Sequence, residues 1–236
     1  HPAWTRKKLF IGRPHDIMIA GHRGRTVNRL RLFSAAASRD FDIGIFNDGD
    51  YIKAVSRKIQ SESVTKILYP SDSKETGKEL RFIQEYFLVA CALRDIIRDF
   101  ETRHDNIQQL HQHVAIQLND THPALAVVEL MRILVDEKKL VWETAWDVTV
   151  NTLAFTNHTL LPEALETWPV FIVNKVVPRH MQIIYEINRR FISQVKERFG
   201  SDNHEMIANM SIIKEGHQQQ VRMANLAIIG SHSVNG

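Results

Sequence analysis

The segment "VAIQLNDTHPAL" at residues 114–125 carries the most information about the fold of this chain. Its apolar run, Val114–Leu118, predicts a short buried strand. The run stops at the polar tetrapeptide 119–122, Asn-Asp-Thr-His, and Pro123 then predicts the start of a helix, since proline suits the first helical position. The segment therefore predicts a strand, a polar corner and a helix in succession.

The polar corner has two interpretations. Asp120 or Thr121 can cap the helix by accepting hydrogen bonds from its free N–H groups. Alternatively, the corner lies at the carboxyl end of a parallel strand, where open α/β sheets bind ligands. This segment alone leaves both interpretations open.

The same pattern recurs twice along the chain. The run "TLAF" at 152–155 leads into Thr-Asn-His-Thr, and "LAIIG" at 226–230, a predicted strand, leads into Ser-His-Ser-Val-Asn-Gly. Capping explains Asp, Ser and Thr at such corners, but it does not require a histidine each time. Neutral donors and acceptors, with Asp120 as the one acid and no Lys or Arg, suit a polyhydroxyl ligand such as a sugar.

Strand and helix patterns alternate along the rest of the chain. We expect a strand near Leu9–Ile11, followed by loops to residue 45, and then a helix that is capped by Asn47 or Asp48 and ends near Gln60. A buried strand is expected in "VTKILYP" (64–70). Two long helices are expected, from Lys78 to Thr102 and from Pro178 to Phe199. This alternation predicts an α/β layered architecture.

The two long helices carry informative apolar faces. The second half of the 78–102 helix is apolar almost all round, so it is either buried in the core or paired with another subunit. The 178–199 helix has an apolar stripe, on which Asn188 is expected to be a hydrogen-bonded buried polar residue. The stripe consists of Met181, Ile184, Tyr185, Phe191, Ile192, Val195 and Phe199.

Composition argues against several classes of function. The 30 basic and 27 acidic residues are interspersed, which argues against a nucleic-acid partner, and no run of about 18 apolar residues predicts a membrane span. The single cysteine, Cys91, cannot form an intrachain disulfide, which favours a reducing, cytoplasmic location, and its apolar context predicts an inert packed thiol. The motifs that bind phosphate or zinc are absent from the sequence.

Five segments resemble one known family. They are "LYPSDSKETGKELRFIQEYF" (68–87), "IQLNDTHPALAVVELMRIL" (116–134), "FTNHTLLPEALETWPV" (155–170), "VPRHMQIIYEINRRF" (177–191) and "MANLAIIGSHSVNG" (223–236). In this order they resemble the α-glucan phosphorylases, which comprise the glycogen, starch and maltodextrin phosphorylases. The chain appears cut at both ends, so we expect residues 1–236 to match much of that family's N-terminal domain.

The resemblance implies a fold, a reaction and a cofactor. The fold would be a Rossmann-like layered sheet within a two-domain GT-B-type glycosyltransferase, with residues 1–236 as an incomplete N-terminal domain for glucan binding and dimerisation. The full-length parent would be a pyridoxal-phosphate-dependent enzyme that uses inorganic phosphate to release glucose 1-phosphate from an α-1,4-glucan. The C-terminal domain, which holds pyridoxal phosphate and its Schiff-base lysine, has no counterpart here, so the fragment alone is expected to be inactive.

The resemblance also implies roles for individual residues. His158 matches the active-site histidine, whose side chain bonds the glucose 6-hydroxyl and whose backbone carbonyl faces the anomeric carbon. Asn119, Asp120 and His122 match substrate-binding residues along the path of the glucan acceptor. No residue of this chain is assigned to the cofactor or to a metal.

A secondary surface site for glucan is implied more weakly by Tyr185, Asn188 and Glu215. Gln219 replaces a basic residue that the family carries nearby, which favours a bacterial or plant-like enzyme.

The 78–102 helix matches a helix at the family's subunit interface, which implies a homodimer. Two alternatives stay open: a non-catalytic glucan-binding module and a nucleotide-sugar glycosyltransferase.

Overall fold

The computed structural model describes residues 10–37, 51–68, 70–71 and 73–236. The chain divides into two compact units, of which the first ends at Cys91 and the second begins at Ala92. The division falls within one long helix, Glu75–Glu101.

The helices in chain order are α1 (Tyr51–Lys66), α2 (Glu75–Glu101), α3 (Leu110–His113), α4 (Ala126–Arg132), α5 (Trp142–Thr152), α6 (Val170–Val176), α7 (Pro178–Phe199), α8 (His204–Met210) and α9 (Met223–Ile229). The strands are β1 (Phe10–Ala20), β2 (Val27–Ala37), β3 (Ile116–Asn119), β4 (Leu153–Thr156), β5 (Thr167–Pro169), β6 (Ile213–Lys214), β7 (Gln220–Arg222) and β8 (Ser233–Asn235). One π-helical turn, Ile133–Glu137, extends α4. Within the described part of the chain, no helix has the length and apolar character needed to cross a bilayer.

A β-hairpin forms the first unit together with α1 and the first half of α2. Strands β1 and β2 pair antiparallel over their full length, and the turn is closed by the Gly21 N–H, which donates to the Thr26 carbonyl at 2.7 Å. The hairpin packs on the helices through a small apolar cluster, and a Cβ on Gly12 would lie 2.4 Å from Sγ of Cys91. The cluster consists of Phe10, Phe33, Ala35, Val64, Ile83, Phe87 and Cys91.

The prediction of loops between the first strand and residue 45 was therefore wrong for the described residues 12–20 and 27–37. The hairpin lacks the apolar–polar alternation that identifies a strand, since one face packs through Phe33 while Ile17 and Leu30 stay exposed on the other. The basic stretch 22–31 is exposed up to the half-buried Arg31, and its second half belongs to β2.

Helix α1 continues past its predicted end at Gln60 to Lys66. The predicted buried strand at 64–70 was wrong, because Val64 belongs to the last turn of α1 and Ile67 is 73% exposed. A short apolar run cannot separate strand from helix end by periodicity alone. The proposed caps, Asn47 and Asp48, lie outside the described residues.

Helix α2 confirms the long helix predicted for 78–102, although it begins three residues earlier, at Glu75. Most of its apolar side chains are buried or half-buried, and Leu93, Ile97 and Phe100 are among the buried ones. Within residues 75–101, all of them described, Leu88 is the one large apolar side chain that is exposed. The burial of these side chains favours the interpretation in which the helix is buried in the core of this chain.

The second unit contains a parallel three-stranded sheet with the order β3-β4-β8. Leu118 of β3 pairs with Phe155 of β4, and both side chains are buried on one face. The opposite face carries Gln117 and Asn119, which are exposed. An antiparallel sheet with the order β5-β7-β6 lies in the same unit. The observed α/β class confirms the coarse fold prediction.

Helix α4 is the packing centre of the second unit and contacts both α5 and α7. Every residue from Ala124 to Met131 is buried. Gly230, just after α9, approaches α4 so closely that a Cβ there would lie 2.5 Å from both γ-carbons of Val127. Any larger residue at Gly230 must displace this helix contact.

A buried ionic cluster ties α4 to α7. Glu129, which is 2% exposed, accepts hydrogen bonds from both Nε and Nη2 of Arg132 at 2.8 Å and from Nε2 of fully buried His180 at 2.6 Å. Burial opposes ionisation of Glu129, but these donors outweigh it and lower its pKa to about 2. Burial lowers the pKa of His180 despite its carboxylate partner, so the imidazole is neutral and donates to an ionised Glu129.

Helix α7 confirms the predicted bounds, and Gly200 follows it with φ of 90°. Of the predicted apolar stripe, Met181, Ile184 and Val195 are buried, but Tyr185 and Phe199 are exposed. Asn188 is a hydrogen-bonded, partly buried polar residue, as predicted. Its Oδ1 accepts from the Ile212 N–H at 2.8 Å and from Oγ of Ser211 at 3.3 Å.

The predicted strand "LAIIG" was wrong. Residues 226–229 lie in helix α9, and the strand is β8, which follows at Ser233–Asn235. The buried positions Met223, Ala224, Leu226 and Ala227 have helical spacing, but five consecutive apolar residues conceal that period.

Candidate functional site

Three strand ends lie side by side at the carboxyl edge of the parallel sheet. Asn119 of β3 pairs with Thr156 of β4, which pairs with Asn235 of β8. Gln117 donates from Nε2 to Oγ1 of Thr156 at 2.8 Å, and Thr156 donates in turn to Oδ1 of Asn235 at 2.7 Å. The parallel ladder thus places a row of neutral hydrogen-bonding groups at one edge.

His158 stands two residues beyond β4, and its side chain is exposed. Its Nε2 lies 2.5 Å from Oδ1 of Asn119, which comes 39 residues earlier in the chain. With Oδ1 of Asn119, which only accepts hydrogen bonds, facing the ring, this contact calls for the tautomer that carries its proton on Nε2. The structure therefore brings together two residues that the sequence placed at separate corners.

The loop after β4 is fixed by Asn157. Its N–H donates to the Asn235 carbonyl at 2.8 Å, and its Nδ2 donates to the Thr159 carbonyl at 2.7 Å, which bridges the backbone of His158. Gly236 approaches this loop closely, since a Cβ on it would lie 2.6 Å from the Asn157 carbonyl oxygen. Oδ1 of Asn157 is buried and has no hydrogen-bond partner among the described residues.

Asp120 has a left-handed backbone conformation with φ of 65°. Its N–H continues the ladder to the Thr156 carbonyl at 2.9 Å, and its Oδ1 accepts from the Thr121 N–H at 2.6 Å. Helix α4 begins only at Ala126, with Leu125 as its N-cap and no side-chain cap. The capping interpretation, and the helix start at Pro123, were therefore wrong: a turn at 122–125 separates the corner from the helix.

His122 follows at the same corner, and its Nδ1 lies 3.7 Å from Oε1 of Glu166, whose side chain is 9% exposed. Sequence reasoning missed Glu166, because it stands in the apolar–acidic segment "PEALETWP", with no polar cluster to mark it. The near-burial of a carboxylate beside an exposed histidine is visible only in three dimensions.

The third predicted corner contributes less than expected. The His232 N–H donates to the carbonyls of Val150 and Leu153, which places it at the amino end of β8, opposite the site. Of the segment 231–236, Asn235 and Gly236 reach the carboxyl edge.

The residues of the weaker surface site differ in exposure and in hydrogen-bond partners. Tyr185 on α7 is 42% exposed, whereas the Oδ1 of Asn188 already accepts hydrogen bonds from the Ile212 N–H and the Ser211 hydroxyl. Glu215 accepts a hydrogen bond from Nε2 of Gln219 at 2.8 Å. Gln219 also lines a shallow pocket of about 390 Å³ together with Val170, Phe171, Asn174 and Gln218.

The residues at the edge do not fit pyridoxal phosphate. Residues 116–122, 156–159 and 235–236 are all described, and they include no lysine to form a Schiff base and no arginine to hold a phosphate. Lys138 pairs with Glu101, and Lys139 donates to the Asp136 carbonyl at 2.6 Å, so both are engaged elsewhere. The edge suits a neutral, hydroxyl-rich ligand instead.

A parallel sheet whose carboxyl edge carries such groups is typical of ligand-binding α/β proteins. The family model for carbohydrate phosphorylases matches residues 1–236, and this chain belongs to the phosphorylase family.

Similar proteins agree with the family assignment. The chain is 48% identical to a glycogen phosphorylase of Synechocystis sp. over 233 residues, which are 99% of this chain and 27% of that protein. It is also 48% identical to the muscle forms of glycogen phosphorylase from Ovis aries and Homo sapiens, over an alignment 241 residues long that covers 99% of this chain and 28% of each of those proteins. The chain thus spans little more than a quarter of the length of these relatives.

Proposed function

We propose that this chain is part of the N-terminal domain of an α-1,4-glucan phosphorylase with a GT-B-type architecture. The full-length parent would use inorganic phosphate to release glucose 1-phosphate from glycogen, starch or maltodextrin, with pyridoxal phosphate held by a C-terminal domain. The observation that carries the proposal is the row of neutral polar groups at the carboxyl edge, with His158 bonded to Asn119. Its occurrence in a member of the phosphorylase family makes a glucan the ligand of choice.

The groups at the edge would bind and orient sugar hydroxyls. His158 would bond the glucose 6-hydroxyl. Its backbone carbonyl lies in the loop that Asn157 ties to the Asn235 and Thr159 carbonyls, and it would face the anomeric carbon as positive charge develops there. Asp120 and His122 would line the path of the glucan acceptor. A fixed carbonyl dipole needs no reorganisation during the reaction, which is why rigid placement of this loop matters.

The exposed faces of both units support a larger parent. Parallel sheets are normally covered on both faces, yet the Gln117–Asn119 face is exposed. In the hairpin, Ile17, Leu30 and Leu32 form an exposed apolar surface of the kind that monomeric proteins usually cover. Other parts of the parent, among them the cofactor domain, would cover these faces.

The decisive experiment measures phosphate-dependent release of glucose 1-phosphate from maltodextrin by the full-length parent. His158→Ala should lower kcat/KM by about 10-fold or more, because a hydroxyl contact worth ~1–3 kcal/mol is lost. His204→Ala removes an exposed histidine at the start of α8 and serves as the matched control. Activity of His158→Ala within about two-fold of wild type would refute the proposed role.

The isolated 236-residue chain should release no glucose 1-phosphate, since its candidate site offers no lysine for the cofactor. The intact mass of the sample and an absorbance scan for bound pyridoxal phosphate show whether the assayed protein is the 236-residue chain or the full-length parent with its cofactor. Saturation by a nucleotide sugar instead of phosphate would favour a glycosyltransferase of another kind.

A cytoplasmic homodimer through the 78–102 helix is part of the proposal. Since the other large apolar side chains of α2 are buried or half-buried, the exposed Leu88 is the residue to test. Leu88→Glu should shift the parent from dimer to monomer in sedimentation analysis. An unchanged dimer would place the interface elsewhere.

The weaker surface site for glucan, around Tyr185 and Glu215, is also proposed. Tyr185→Ala should weaken co-sedimentation of the parent with glycogen and leave kcat on maltodextrin unchanged. Unaltered co-sedimentation would exclude the site.

A further inference from the structure

We propose that Asn119 is a positioning residue that holds His158 in its Nε2–H tautomer and thereby presents Nδ1 as a hydrogen-bond acceptor to a glucan hydroxyl. This inference rests on the proposed function for the identity of the ligand, but the tautomer itself can be measured without it. It also changes the expected role of Asn119 from a direct substrate contact to a residue that acts through His158.

The imidazole of His158 is not held by packing. Its side chain is exposed, and among the described residues Asn119 is the one that hydrogen-bonds to its ring. A neutral imidazole has one donor and one acceptor nitrogen, and an exposed ring samples both tautomers unless a partner selects one. Oδ1 of Asn119 accepts from Nε2, which leaves Nδ1 as the acceptor.

Asn119 is well placed to act as that partner. It is the last residue of β3 and pairs with Thr156 in the parallel ladder, while the next residue, Asp120, donates its N–H to the Thr156 carbonyl. His158 follows Thr156 by two residues on the neighbouring strand. The distance between the two side chains is therefore set by backbone hydrogen bonds on both sides.

The neutral amide is essential to this arrangement. An aspartate at position 119 would hold a positive charge on the imidazole, and both ring nitrogens would then be donors. The charged or titratable groups at this edge are Asp120, whose Oδ1 accepts from the Thr121 N–H, and His122 beside Glu166. None of them hydrogen-bonds to His158, so the partner of its ring is the uncharged amide of Asn119.

The first test uses the full-length parent with ¹⁵N-labelled histidine side chains, and His158→Gln assigns the signals of this residue. Wild type should show a protonated Nε2 and a bare Nδ1, and Asn119→Leu should give a mixture of the two tautomers. Asn119→Asp should raise the pH at which His158 takes up a proton by about 1 pH unit or more. Asn151→Leu, on the exposed side of α5, is the control and should change nothing.

The second test follows phosphorolysis of maltodextrin across pH in the same variants. Asn119→Leu should lower kcat/KM by about 10-fold. Asn119→Asp should lose activity at low pH and regain it as the pH rises, because deprotonation restores the acceptor at Nδ1. A purely structural role of Asn119 would lower activity equally at every pH.

Two results overturn the inference: a bare Nε2 in wild type, or the same tautomer in wild type and Asn119→Leu. A protein that shows the expected tautomers but releases no glucose 1-phosphate supports the positioning role and refutes the proposed function instead.

Discussion

Glu129→Gln tests whether the buried ionic cluster between α4 and α7 stabilises the fold. The substitution keeps the size and the hydrogen-bonding shape of the side chain but removes its charge. Arg132 then faces a neutral amide in a site where Glu129 is 2% exposed. Arg132 keeps Glu137, to whose Oε1 its Nη1 donates at 2.9 Å, but it loses the more deeply buried of these two carboxylate partners, and breaking a buried ion pair is costly.

The magnitude follows from the pKa of Glu129. A carboxyl whose pKa falls from 4.5 to about 2 on folding stabilises the folded chain by about 3 kcal/mol at neutral pH. Because the folded pKa is the lower one, this stabilisation is complete above pH ~4.5 and is lost as the pH falls towards ~2. Glu129→Gln should therefore cost about 3 kcal/mol at pH 7.

The assay is urea unfolding of wild type and variant, followed by circular dichroism at several pH values. The difference in unfolding free energy between wild type and variant should narrow by about 1 kcal/mol between pH 6 and pH 4, because Glu129 takes up a proton in the unfolded wild-type chain while it stays ionised in the folded one. His180, whose pKa burial lowers, should make both proteins less stable as the pH drops below ~6.5.

Glu143→Gln is the matched control, since Glu143 pairs with Arg190 at 2.8 Å but its side chain is 72% exposed. We expect no measurable change in its unfolding midpoint. A cost of Glu129→Gln below about 1 kcal/mol, or one that is independent of pH, would refute the argument that this buried charge is stabilising.

Three further predictions concern packing, reactivity and the surface near α7. Gly230→Ala should destabilise the chain by about 1–3 kcal/mol in urea unfolding, because the new Cβ would clash with Val127. Adding Val127→Ala to the same protein should recover part of that loss, whereas free-energy changes of the two substitutions that simply add would contradict the clash. Burial raises the pKa of the Cys91 thiol to about 11. A maleimide should therefore label Cys91 at pH 8 about 100-fold more slowly in the folded chain than in the urea-unfolded chain, and equal labelling rates would exclude a packed thiol. Asn188→Ala should cost about 1–3 kcal/mol, because the N–H of buried Ile212 loses its acceptor; an unchanged midpoint would show that water replaces it.

The elements that sequence predicted best are those with a signal at each end. Helix α7 has Pro178 at its start and Gly200 after its end, and its bounds were confirmed. Strands β3 and β4 were recognised because a polar cluster follows each apolar run. Local chemistry was sufficient in these cases.

The errors arose where tertiary contacts override local pattern. The segment 226–230 carries no readable period, because Ile228 is apolar although it is 48% exposed, next to the buried Leu226 and Ala227. The hairpin was missed because apolar residues lie on both of its faces. Glu166 and the bond between Asn119 and His158 depend on residues distant in sequence, which no local pattern can reveal.

The left-handed backbone of Asp120 has a consequence for how this corner tolerates genetic change. At φ of 65°, only glycine, asparagine and aspartate are readily accommodated. Both Asn and Gly codons differ from an Asp codon by a single base, so the one acid of the edge can be lost in one mutational step with little effect on folding. Selection for stability alone would not retain this carboxylate, and a mutational scan scored in parallel for abundance and for activity should separate the two requirements most clearly at position 120.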